Sequence, residues 1–208
     1  MIDHTLVQAL DLLRRGRFAN ARTLLEDCPA TPRVEILLAH AHAGCNRVQE
    51  AARLLCRQAV ANPGARHPAL DMLDLLLPHD RVEEAEAVLR AIRQRAHQDI
   101  RSHDMLGELL LQRGRTAEAQ AVLAEGLALS PAQLSTGNLM AVCLMEQGEF
   151  AAGRDLLRYI LKHHPDSAMT HANLAHLLAA WNHNDEALQA HGRALALRPE
   201  DARLRLTH

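Results

Sequence analysis

The chain has 208 residues, with 23 basic and 25 acidic side chains, a formal net charge of −2 and 2% aromatic residues. That balance, with no polybasic run, leaves no electrostatic footprint for nucleic acid or for an anionic membrane surface. So few aromatic and β-branched residues also exclude a β-sandwich or barrel. In chain order, the start Met1-Ile2-Asp3-His4-Thr5 carries an acid where a signal peptide is basic, and Asp11 interrupts the next apolar stretch. No window reaches eighteen consecutive apolar residues, so no membrane span is expected. The four cysteines, Cys28, Cys45, Cys56 and Cys143, have neither metal-ligand nor disulfide-framework spacing. They read as small core residues of a cytoplasmic protein.

The chain then repeats itself with a period of 34 residues. One column runs Gly16, Asn46, Asp80, Gly114, Gly148, Asn182, and a second runs Ala21, Ala51, Ala85, Ala119, Gly153, Ala187. Six units follow, at 2–31, 32–65, 66–99, 100–133, 134–167 and 168–201. Each carries apolar residues at helical spacing on either side of the first column, as at Leu106, Leu109 and Leu110. Two helices per unit are therefore predicted. Gly, Asn and Asp tolerate the left-handed backbone that ends a helix. Asp80 with Glu83 resembles a capping box for the second helix. The small-residue column lets two helix backbones approach closely. Pro63, Pro131, Pro165 and Pro199 close the second helices, and Pro32 and Pro68 open first helices.

This pattern resembles the tetratricopeptide repeat family, as in Asn173-Leu174-Ala175, Asp185-Glu186-Ala187, Ala194-Leu195 and Pro199. Leu110, Leu144 and Leu178 stand at aromatic positions of the family motif, His42 stands in the same column, and Leu73 replaces a small residue. The resemblance implies an all-α fold, a right-handed superhelical solenoid of six antiparallel helix pairs. It also implies a non-catalytic scaffold whose first helices line a concave groove for a partner peptide or helix. Carried onto this sequence, the groove columns place His40, Asp71, Asp74, Asp104, Glu108, Asn138, Asn173 and His176 in it, and Arg101 is counted with the groove as a neighbour in sequence. No lysine occupies these columns, which disfavours the family's clamp for a C-terminal carboxylate. The asparagine ladder of sugar-transferase repeats is missing too, with Asn173 its only member. What remains is an acidic centre of Asp71, Asp74, Asp104 and Glu108, close in sequence to Arg101. It reads either as a solvated face or as a site for a basic partner segment.

Fourteen histidines raise the question of a metal site. His171 and His176 are five residues apart on a helix and point in different directions, and no HExxH or Cys/His zinc spacing occurs. His42 and His191 fall on interior columns. With no nucleophile elbow or phosphate-binding loop either, neither metal, cofactor nor catalytic residues are expected. Glu83, Glu84, Glu86 and Glu118 beside arginines read as ion pairs on the second helices. The alternative function is the N-terminal recognition domain of a larger bacterial enzyme such as a glycosyltransferase or sulfotransferase. Residues 202–208 continue the pattern with Leu204 and Leu206, as the truncated start of a capping helix, while Leu188, Leu195 and Leu197 lack a cover. Either the natural chain continues, or this end associates with a second copy.

Overall fold

The computed structural model describes residues 2–61 and 67–200; Pro63 and the expected capping segment 202–208 lie outside them. The chain forms two compact units, Met1–Met105 and Leu106–His208. The first unit holds α1 (Ile2–Arg14), α2 (Phe18–Glu26), α3 (Pro32–Gly44), α4 (Val48–Ala61), α5 (Pro68–Leu76) and α6 (Val82–Arg95). It also holds the start of α7 (Ile100–Gln112). The second holds the rest of α7 with α8 (Thr116–Leu129), α9 (Leu134–Glu146), α10 (Phe150–His163), α11 (Ala168–Ala180) and α12 (Asn184–Leu197). No β-strand occurs among the described residues.

The left-handed column is complete. Gly16, Asn46, Asp80, Gly114, Gly148 and Asn182 all have φ between 56° and 77°. Around Gly16, the amide of Arg17 donates to Leu12 O at 2.8 Å and that of Gly16 to Leu13 O at 3.0 Å. Two orphan carbonyls of α1 are satisfied that way, and the chain is aimed back for α2. The same pair of bonds recurs at the other five turns, for example Glu149 to Leu144 and Gly148 to Met145. The capping box expected of Asp80 and Glu83 is not formed, because Asp80 is spent as the left-handed residue. The N-cap is Arg81, whose side chain makes no cap bond and instead reaches Glu84 at 2.6 Å. Arg115 does likewise with Glu118 at 2.7 Å, and Arg90 with Glu86 at 2.8 Å.

Pro32 and Pro68 sit at the first positions of their helices, behind N-cap side chains Thr31 and His67. The α-helical run of α5 stops at Leu76, giving way to a short 3-10 turn over Leu77–His79. Pro78 is the reason, since it has no N–H to continue the ladder.

Neighbouring elements pack in order within each unit, α3 on α4 and α4 on α6 in the first, α9 on α10 and α11 on α12 in the second. Ala21, Ala51, Ala85 and Ala119 are fully buried at these crossings, and Gly153 and Ala187 are buried too. A Cβ on Gly153 would stand 2.6 Å from Leu177. Leu13, Leu55, Leu76, Leu89 and Ile92 make the core of the first unit, and Leu106, Leu110, Leu123, Leu157 and Ile160 that of the second. Each such side chain contributes roughly 1.5–3 kcal/mol on leaving water. All four cysteines are free thiols; Cys143 is buried, and burial pushes its thiol up to about 11. Trp181, at the end of α11, stacks on Phe150 at 6.2 Å and carries the Arg154 guanidinium 5.3 Å above its ring.

Candidate functional site

In the first unit the first helix α5 carries two of the expected acidic residues. Asp71 and Asp74 are both exposed on α5. His40 is not on that surface. It is 2% exposed, because the start of α5 at Pro68 covers it and the Pro68 carbonyl lies 3.2 Å from its Nε2. Burial holds its imidazole down to about 4, against the smaller upward pulls of the Pro68 carbonyl and the Asp71 charge. His40 is therefore a neutral packing group between α3 and α5. His42 is buried as its interior column predicts, and burial followed by the Arg47 charge lowers it too.

Arg101, half-buried, bonds Asp99 Oδ1 through Nε at 3.1 Å. Asp99 also faces His67 Nε2 at 3.0 Å, while His67 Nδ1 accepts the amide of Ala69 at 3.1 Å. That acceptor role leaves the ring proton on Nε2, the nitrogen nearer the carboxylate, although its N–H is not aligned for a hydrogen bond. Burial by itself would raise the Asp99 carboxyl, but the adjacent His67 and Arg101 outweigh it and hold the group below its usual range. The Asp99 carbonyl takes Ser102 Oγ at 2.7 Å and His103 Nδ1 at 3.2 Å. This node, absent from the groove columns, ties the start of α5 to the start of α7. Asp104 is half-buried one turn along α7, and Glu108 is exposed a turn further.

In the second unit the structure brings Asn138 and Asn173 together. Asn138 is 4% exposed; its Nδ2 donates to Leu134 O at 2.7 Å and Thr170 Oγ1 at 2.9 Å. Its Oδ1 accepts from Asn173 Nδ2 at 2.8 Å. Thr170 and Ser167, the N-cap of α11, share a hydroxyl bond of 2.8 Å. A hydrogen-bonded asparagine pair thus bridges α9 and α11 where only one member was expected. His176 is exposed one turn beyond Asn173, whereas His171 is buried against the Pro165 carbonyl at 3.0 Å. His191 is buried as well. Among the described residues no group of three or more His, Cys, Asp or Glu side chains is placed to hold a metal ion, and no helix is long and apolar enough to cross a membrane.

Two family models, both described as tetratricopeptide repeat, match residues 110–180 and 3–27. Among curated proteins none matches the sequence. Of solved structures, YrrB, described as a TPR protein with an unusual peptide-binding site, is 16% identical, with TM-score 0.58, over 91% of this chain and 95% of that one. PilF of Pseudomonas aeruginosa is 20% identical, with TM-score 0.56, over 98% and 95%. MamA from residue 41 onward, of Desulfovibrio magneticus RS-1, is 18% identical, with TM-score 0.56, over 65% and 77%. At these identities the likeness is one of fold.

Proposed function

Since the chain is a tetratricopeptide repeat protein, we propose that it works as a non-catalytic protein-interaction scaffold, binding a partner peptide or helix on the face of its first helices. The observation that carries this reading is the division of labour within each helix pair. The second helices are anchored through a buried small-residue column, while the first helices keep chemically varied side chains in reach of solvent. On α5 these are Asp71 and Asp74; on α11 they are Asn173 and His176. Rigid elements that display such groups suit recognition of a partner surface.

The exposed α5 carboxylates favour a partner segment that is basic. Pull-down from a lysate with mass spectrometry identifies the partner, and the double variant Asp71→Arg/Asp74→Arg tests the face. The partner should be lost from the variant while the circular dichroism stays helical, and added salt should weaken the wild-type complex. A partner held equally by the variant and insensitive to salt would overturn the acidic reading of this face.

A further inference from the structure

We propose that the cleft between α10 and α12, on the second-helix side of residues 106–208, is a second recognition site, for an acidic peptide segment that inserts one leucine-sized side chain. The repeat itself makes the cleft. At one column of the second helix the units carry Leu24, Leu54, Val88, Val122 and Leu156, and then Ala190. Leu54, Val88 and Val122 are buried, filling the space against the neighbouring helix. Ala190 leaves that space open. The result is a cavity of about 350 Å³ with Leu161, Leu174, Leu178 and Ala190 on its apolar walls. That volume lies within the roughly 300–1,000 Å³ of binding pockets.

The rim supplies the charge. Arg158 is held by Glu186 at 2.8 Å across the cleft, and Glu186 also faces His183 at 3.4 Å. Arg193, exposed on the same rim, has no ion pair among the described residues. The one acid of the rim is therefore already engaged, and the uncompensated group is a guanidinium, which takes a carboxylate in a two-pronged bond. An apolar floor beside a single unpaired arginine fits a leucine flanked by acidic residues, and disfavours a basic segment. Nothing in this site draws on the α5 carboxylates.

The test is a titration of the ¹⁵N-labelled chain, followed by NMR, with two blocked tetrapeptides, acetyl-Asp-Asp-Leu-Asp-amide and acetyl-Lys-Lys-Leu-Lys-amide. The acidic peptide should shift the amides lining the cleft, and the basic one should leave them unmoved. Ala190→Leu restores the side chain of the preceding units; it should abolish the shifts while the melting temperature stays at or above that of the wild type. Arg193→Glu, an exposed change that leaves the core alone, should weaken the acidic peptide by about tenfold or more, the scale of one charge-assisted contact. Asp71→Arg/Asp74→Arg should change nothing here, which separates this site from the first-helix face. The proposal is overturned if the acidic peptide leaves the cleft unmoved, or if both peptides bind alike. It is equally overturned if the Arg193→Glu protein binds like the wild type, or if sedimentation shows a wild-type dimer that Ala190→Leu disperses.

Discussion

Gly44 has no room for a side chain, since a Cβ there would overlap the ring of Phe18. Phe18 cannot retreat easily, being 3% exposed and set edge-on against His79 at 5.7 Å. Gly44→Ala should therefore cost about 1–3 kcal/mol despite its better helix propensity, read as a lower urea midpoint. An unchanged midpoint would mean the ring yields. His40 sets a pH dependence of definite sign. Its imidazole is held down to about 4 in the fold, against 6.5 ordinarily. The unfolded chain takes up a proton that the folded chain refuses. Stability should be complete above about pH 6.5, fall as the pH drops toward 4, and level off below; the loss from His40 approaches roughly 3 kcal/mol. The lowered His42 adds to the same trend, whereas Asp99, held below its ordinary 3.8, loses its stabilising ionisation only at more acid pH, below the His40 window. Urea unfolding at pH 7 and pH 4.5 measures the slope. His40→Gln, which keeps a neutral donor for Pro68, should flatten it, and an equally steep slope in that variant would remove His40 as the cause.

Between elements, a buried polar join of the second unit is the bridge from α9 to α11. Asn138→Ala strips two donors and an acceptor from a buried site, an expected loss of about 1–3 kcal/mol. Asn173→Ala should cost less, because its position is half-exposed. In a double-mutant cycle the two losses should fall short of additive by about 0.5 kcal/mol or more; strict additivity would show that the 2.8 Å bond does no coupling. The pair also explains what the sequence could and could not reveal. The left-handed column was legible at once, because a positive φ is a demand on one residue that Gly, Asn or Asp meets without outside help. The alanine column was legible for a similar reason, since close approach needs only a missing side chain. Asn138 and Asn173 are 35 residues apart, so a comparison in steps of 34 never sets them side by side. His40 sits in a groove column, yet the late start of α5 at Pro68 buries it. His67 and Asp99 lie in connecting segments, where the repeat dictates nothing and the contact exists only after folding. Asp80 shows how a local rule fails: one residue cannot both end a helix in the left-handed region and cap the next.

At the scale of the whole chain, two compact units each store stability in contacts between their own packed helices. Leu157→Ala removes a fully buried side chain from the second unit and should cost about 2–5 kcal/mol. Hydrogen exchange should quicken in α9–α12 and stay near its wild-type rate in α1–α4. Uniform quickening would instead mean that the chain unfolds as one cooperative body. The same locality gives the sole indole a use. Trp181 closes α11 with Phe150 against one face, Arg154 above the ring and His183 4.5 Å away. All of these partners belong to residues 106–208, and the other unit contains no tryptophan at all. Intrinsic fluorescence excited at the indole band therefore watches one half of the molecule alone. Its red shift on denaturation times the loss of the α10–α12 packing, and any lag behind far-ultraviolet ellipticity is a direct optical record of the two halves melting apart.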